Sequence, residues 1–405
     1  MKQTAPSHLA RPAGFLTFLG TGIAACARPA EVEDSWAQSL AYAQSLQPLL
    51  EAADYERDPL WGDREDGLAF ESYWEAVELL FPPGDEGAPD ALKLTNLLYR
   101  GWDVRGEIVG LPGEQAQSGA DAFMDLPRVQ AALTALREGA HRGDARPPIE
   151  WSAPPWEAHS LFQLRALGFA ATYHADTLAA SGEDVAAAYL LLDVAQLGLD
   201  LLRTPLPTHS GTGMAQLNAA PLGPWNNSTV GKLGPGGRDV LLAGLGRVLE
   251  GLALSPLTAA GDFVLHMRQA EALGQIARRH LLSGDGQIVD KVIVIEGNEL
   301  TEWLAERRAA CELTLGGATR GGGVGDLAGP MKSLEDSLAM VRYRLTCLQL
   351  ALQLDLDDRA SRESQVGGLG IAATIGEGEI TVGFEGAKGR KPGYLPVTIR
   401  RSISK

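Results

Sequence analysis

Residues 161–203 read LFQLRALGFAATYHADTLAASGEDVAAAYLLLDVAQLGLDLLR. Leu161, Leu164, Ala171, Ala175 and Leu178 recur at the three- and four-residue steps that align on one side of a helix. Ser181-Gly182-Glu183-Asp184 interrupts them with turn-forming residues, and Val185 to Arg203 forms a second, strongly apolar helix. A helix hairpin of this kind has a face it cannot bury alone, so it must stack on neighbours, as in TPR-like arrays. The strict tetratricopeptide consensus and its period of about 34 residues are both missing, which makes the stack an irregular one.

Working outward, Trp36, Leu40, Ala43, Leu46, Leu49 and Leu50 give the first amphipathic pattern after the leader. Phe70, Trp74, Val77, Leu80 and Phe81 predict a helix over 68–81, stopped by Pro82-Pro83-Gly84. Further helices are predicted over 90–102 and, with Pro127 in its first turn, over 126–142, with a polar loop at 103–121 between them. Pro205, Pro207, Pro221, Pro224 and Pro235, interspersed with glycines, predict a long loop from 205 to 237. Helices follow at 238–253 and 257–283. The β-branched run around Ile288–Ile295 reads locally as a strand but also fits a helix, preferred over 285–311 with a break near Gly297-Asn298. Between glycine-rich connectors at 316–329 and 367–393, Ser333 with Asp336 starts a long helix whose stripe is Leu338, Val341, Leu345, Leu348 and Leu352. IAATI and EITVGF flank Gly376-Glu377-Gly378 as a hairpin, and YLPVTIRRSI supplies a third strand; so small a sheet needs helices beneath it. The expected fold is therefore mainly α, an irregular, solenoid-like stack of helix hairpins with a small C-terminal β-hairpin or three-stranded element. Its divisions are a leader over 1–25, a helical array over 26–365 and the β element over 366–405.

The 405 residues are enough for one large array or two domains, and 45% apolar with 21% charged residues is a globular composition. With 51 acidic against 35 basic side chains the formal charge is −16, which repels phosphate backbones and excludes nucleic acid as the expected partner.

Residues 1–14 carry Lys2 and Arg11 and no acid, and the 11-residue apolar run Phe15–Ala25 follows. That run is well short of the roughly 20 residues that span a bilayer, so it reads as the apolar region of an export signal, not as an anchor helix. It closes on Ile23-Ala24-Ala25-Cys26, which resembles the bacterial lipobox. The resemblance implies cleavage before Cys26 and a diacylglycerol thioether on that residue. Acyl chains contribute about 0.8 kcal/mol per buried methylene, so two or three chains hold a protein on a membrane surface. Loss of residues 1–25 removes Lys2 and Arg11 and takes the formal charge from −16 to −18. The alternatives are cleavage after Ala27 to give a soluble secreted form, or an ordinary first helix. The other cysteines, Cys311 and Cys347, lie in helical patterns; an oxidising periplasm would permit their pairing, though a buried free thiol is commoner for cysteines at such helical positions.

The hairpin sequence of 161–203, GQIVDKVIVIEGNELTEWLAER and LAMVRYRLTCLQLALQL are together similar to TPR-like helical proteins of large, GC-rich bacterial genomes. The likeness covers roughly half the chain and implies a helical array, with no activity and no site residue attached to it.

Candidate chemistry is sparse. Among the histidines, His159, His174, His266 and His280 would be the first choices for a catalytic or metal site. His266 and Glu271 point about 140° apart on a helix, and His174 and Asp176 also face different sides. Glu71, Glu75 and Glu78 line one helix face, as expected for the solvated side of an acidic protein. His209-Ser210-Gly211-Thr212-Gly213 lacks the GxSxG elbow of a serine nucleophile, and Gly321–Gly325 lacks the Lys-Ser/Thr of a phosphate loop, so it reads as a connector. Trp61, Trp74, Trp102, Trp151, Trp156, Phe162 and Phe169 supply either core or the lining of a peptide groove. No cofactor, metal or catalytic residue is assigned. The expected function is an envelope-anchored lipoprotein scaffold, lipidated at Cys26, that binds a protein or peptide partner and does not catalyse. The alternative is an envelope hydrolase whose site is assembled from sequence-distant residues.

Overall fold

A computed structural model describes residues 30–82, 120–149, 161–222, 226–268, 329–356, 371–375, 379–384 and 397–400, with parts of 91–98 and 305–315. The leader, Cys26, Trp102, Trp151, Trp156, His159, Glu271, His280, the Ile288–Asn298 stretch and Gly321–Gly325 lie outside them.

The protein is mainly helical. In chain order the elements are α1 (Ala30–Glu51), β1 (Glu65–Leu68), α2 (Ala69–Leu80), α3 (Pro127–His141) and β2 (Arg142–Asp144). There follow α4 (Leu161–Ser181), α5 (Asp184–Arg203), α6 (Pro207–Leu222), α7 (Asn226–Lys232), α8 (Pro235–Gly251), α9 (Gly329–Leu356), β3 (Ile371–Ile375), β4 (Glu379–Phe384) and β5 (Val397–Arg400). The α4–α5 hairpin stands where its periodicity puts it. It is surrounded: α5 packs against α3, α4, α6 and α8. Encirclement explains why α5 is apolar on every side and why nearly every residue from Ala187 to Leu202 is buried. By length and composition α5 is a helix that could cross a membrane, but in this protein it is the core helix.

The loop expected over 205–237 is corrected: it folds as α6, α7 and the start of α8. Pro207 and Pro235 sit in first turns, where a missing N–H breaks no intrahelical bond. Gly213 there serves packing. A Cβ on Gly213 would lie 2.5 Å from the Gly198 carbonyl oxygen, and one on Gly198 would lie 3.0 Å from the Gly213 carbonyl oxygen, so α5 and α6 meet backbone to backbone.

The C-terminal strands form an antiparallel sheet in the order β3-β4-β5, with Ile375 opposite Ile380 and Ile380 opposite Ile399. The sheet lies on α9 and α7, and Val382 enters the main core. A second core cluster joins Ala43, Leu46 and Leu50 of α1 to Phe263, Val264, Met267, Leu206, Cys311 and Met331. Leu49, expected on the α1 stripe, is instead 51% exposed. It falls about 120° from Ala43 around the helix, outside the arc of Ala43, Leu46 and Leu50. Cys311 and Cys347 are free and buried in different clusters. Cys311 Sγ donates to the Ala259 carbonyl at 3.0 Å, and burial pushes its thiol up to about 12.

Candidate functional site

Asp193, Gln196 and Asp200 occupy positions i, i+3 and i+7 of α5, within an arc of about 60°, and form a buried polar seam on an otherwise apolar helix. Such groups require partners, because an unpaired buried charge is strongly unfavourable. The partners come from the strap between α1 and β1, which has no helical pattern and crosses the seam. Its backbone is held against β2 by Arg57 N–H to Gly143 O at 2.9 Å and Ala145 N–H to Tyr55 O at 3.0 Å. A short parallel pair, Glu65 with Arg142 and Leu68 with Asp144, extends this attachment; the sequence did not suggest it.

Arg57 goes inward. Its Nη2 donates to Asp200 Oδ2 at 2.8 Å, with both side chains wholly buried. The same guanidinium donates to the Ala140 carbonyl at 2.6 Å and the Gly139 carbonyl at 2.9 Å, capping the last turn of α3, where carbonyls lack helical partners and a cation is favoured. Tyr73 Oη donates to Asp200 Oδ2 at 2.7 Å and Gln196 Nε2 to Asp200 Oδ1 at 2.8 Å. Burial pulls the Arg57 guanidinium toward its neutral form, but Asp200 and Tyr73 outweigh it and raise its pKa. The Tyr73 hydroxyl is pushed well up by burial and by the Asp200 charge. Asp200 thus accepts three hydrogen bonds, and the cluster works as a clamp.

The other end of the strap meets Asp193. Trp61 Nε1 donates to Asp193 Oδ1 at 2.7 Å, and Arg137 Nε reaches Oδ2 at 3.4 Å. Burial pushes the Asp193 carboxyl up to about 7, against the opposing pull of Arg137 and the Trp61 hydrogen bond. The Trp61 ring stacks on Tyr189 with centroids 4.0 Å apart, meets His141 edge-on at 4.3 Å and lies 5.4 Å from the Arg137 guanidinium carbon. Leu60 N–H donates to Gln196 Oε1 at 3.0 Å, and Arg247 Nη1 donates to the Leu60 carbonyl at 3.0 Å. Gly62 turns the chain at φ +69°, and a Cβ there would lie 2.5 Å from His141 Cε1, so the turn and the ring both require glycine.

Of the residues singled out in the sequence, Trp61 enters this cluster; the other described ones lie elsewhere. Glu71, Glu75 and Glu78 are exposed on α2. His209 and Ser210 are buried on α6, and burial lowers the His209 imidazole to about 4. Burial also lowers His174. The carboxylate beside His266 is Asp262, one turn earlier: Nδ1 lies 3.2 Å from Asp262 Oδ1, and Arg307 pairs with the other oxygen. Burial lowers His266, but the Asp262 hydrogen bond outweighs it and the net shift is upward. Among the described residues, no group of three or more His, Cys, Asp or Glu side chains converges as a metal site would. Phe169 and Trp74 are core, whereas Phe162 is 68% exposed. The seam is not among the sites expected from the sequence, although its spacing at i, i+3 and i+7 on an apolar helix is a signal that could have found it; Trp61 stood among them only as an aromatic, and Arg57 carried no signal. No family model matches this chain, and neither a curated protein nor a solved structure matches it.

Proposed function

We propose that the chain is an envelope-anchored helical scaffold: a diacylglycerol thioether on Cys26 holds it at a membrane surface, and the helical body engages a protein or peptide partner. The observation that carries the reading is the apolar run Phe15–Ala25 closing on Ile23-Ala24-Ala25-Cys26. Two further features support it. Helix α1 begins at Ala30, and four extended residues span at most about 14 Å, so an acyl anchor on Cys26 would hold the body close to the headgroups. Phe162, at the start of α4, keeps 68% of its surface exposed, as an aromatic contact for a partner would. Among the described residues, the buried Arg57–Asp200 cluster ties a strap to the core helix, as a scaffold requires.

Metabolic labelling with a fatty acid tests the anchor. The natural chain should take up label in the membrane fraction, and Cys26→Ser should lose it and leave that fraction; equal label in both chains removes the proposal. For the partner, a photo-crosslinking side chain at position 162 should give a discrete heavier adduct in cells, and the same group at the exposed Glu138 should not. Identical patterns at the two positions would exclude a contact at Phe162.

A further inference from the structure

The two attachments of the strap differ in how their charges are balanced. At the clamp, Arg57 and Asp200 are both wholly buried and multiply bonded. At the distal end the Asp193 carboxylate has no exposed surface, whereas its single cationic partner, Arg137, leaves 47% of its side chain in water and approaches only to 3.4 Å. A charge shared with solvent compensates a buried one poorly. The turn that brings Trp61 onto that carboxylate is short, Leu60 to Asp63, and is held by the Leu60 bonds to Gln196 and Arg247 and by a 3.3 Å contact of His141 Nδ1 with the Asp63 carbonyl.

We propose that the Leu60–Asp63 turn is a proton-controlled latch, closed over Asp193 when that carboxyl carries a proton and released when it ionises, with Trp61 leaving Tyr189 and the Arg57–Asp200 clamp acting as the fixed end. This inference stands apart from the anchor. The groups facing the latch are Arg137 and His141 from α3, and Tyr189 with Gln196 and Asp200 from α5. Arg57 joins Asp200 from the strap, Tyr73 from α2 and Arg247 from α8. Of these only Arg137 pairs directly with Asp193.

The sign follows from linkage. In the closed arrangement burial raises the Asp193 carboxyl from the ordinary 3.8 to about 7, and in an open, hydrated arrangement it returns toward 3.8. Between these values the closed state keeps the proton that the open state has lost. Closure is therefore favoured at low pH and progressively lost as pH rises through 7. The opening constant should rise about thirtyfold between pH 5.5 and pH 8.

Hydrogen exchange of the full chain, read on peptides covering 58–63 and corrected for the intrinsic pH dependence of exchange, measures that constant. Protection should fall about thirtyfold from pH 5.5 to pH 8, while peptides of α4 keep theirs. Asp193→Asn, neutral at every pH, should remove the slope. Arg137→Gln, at a half-exposed position, should leave protection at pH 5.5 unchanged and deepen its loss above pH 7, where the natural chain levels off, and it decides the matter should the first variant fail to fold. A natural chain with the same protection at both pH values, or an Arg137→Gln chain whose protection levels off at the same pH and depth as the natural chain's, overturns the latch.

Discussion

Arg57 remains charged in the core because its two Nη atoms meet acceptors: one carboxylate and two carbonyls at the end of α3. Removing one member of such a pair leaves the other buried and uncompensated, which costs about 3–5 kcal/mol. Urea unfolding of Arg57→Ala should show a loss of that size. Arg57→Met combined with Asp200→Leu should recover part of it, since no lone charge is left, but not all, because the Ala140 carbonyl loses its Arg57 donor and Tyr73 loses its acceptor. A single-variant loss under about 1 kcal/mol would mean that Asp200 escapes to water. At the other end of the strap, Gly62→Ala has to adopt a positive φ and also displace the His141 ring. The backbone term alone is about 1–2 kcal/mol, so a larger total loss is expected, with protection falling first in the strap. The reason half of this site was invisible in the sequence lies here as well. Arg57 and Asp200 are 143 positions apart, and an arginine in a polar, aperiodic segment looks the same whether it ends in water or in the core.

At the scale of elements, periodicity located α2, α3, α4, α5 and α9 because each has one or more faces that must be dry. It failed over 205–237, where glycine and proline, ordinarily breakers, have positional roles inside helices. The distinction is testable within α6. Gly213 meets the α5 backbone, whereas a Cβ on Gly211 would have nothing within 4 Å. Gly213→Ala must push the two helices apart and should destabilise by about 1–3 kcal/mol. Gly211→Ala gains helix propensity on an exposed face and should stabilise by about 0.4–1 kcal/mol. Thermal melts of the two variants should therefore move in opposite directions; a common direction would show that α6 is not held by close backbone contact. The short β1–β2 pair was missed for a related reason: Glu65–Leu68 and Arg142–Asp144 are too short, and hold too few apolar residues, to leave an alternation to detect.

At the scale of the whole molecule, the described residues form two apolar clusters, one built around α5 and a smaller one between α1 and residues 259–267. Leu334 packs against both, so they are linked through α9. A cluster of few residues stabilises its elements less than a large one, and local opening follows that difference. Leu50 and Leu191 are both buried leucines, one in each cluster, and truncation of a buried leucine to alanine costs about 2–5 kcal/mol. The consequences should differ. Leu191→Ala weakens the cluster on which the other helices rest, so it should lower exchange protection in α4, α5, α6 and α8 together. Leu50→Ala should lower protection in α1 and over 259–267 and leave α5 unchanged, because the smaller cluster opens without the larger one. Native-state hydrogen exchange resolves the two patterns. If Leu50→Ala depresses α5 as much as α1, the clusters unfold as a single unit and the link through Leu334 is strong; if only α1 responds, α1 is a separately opening element beside an intact core.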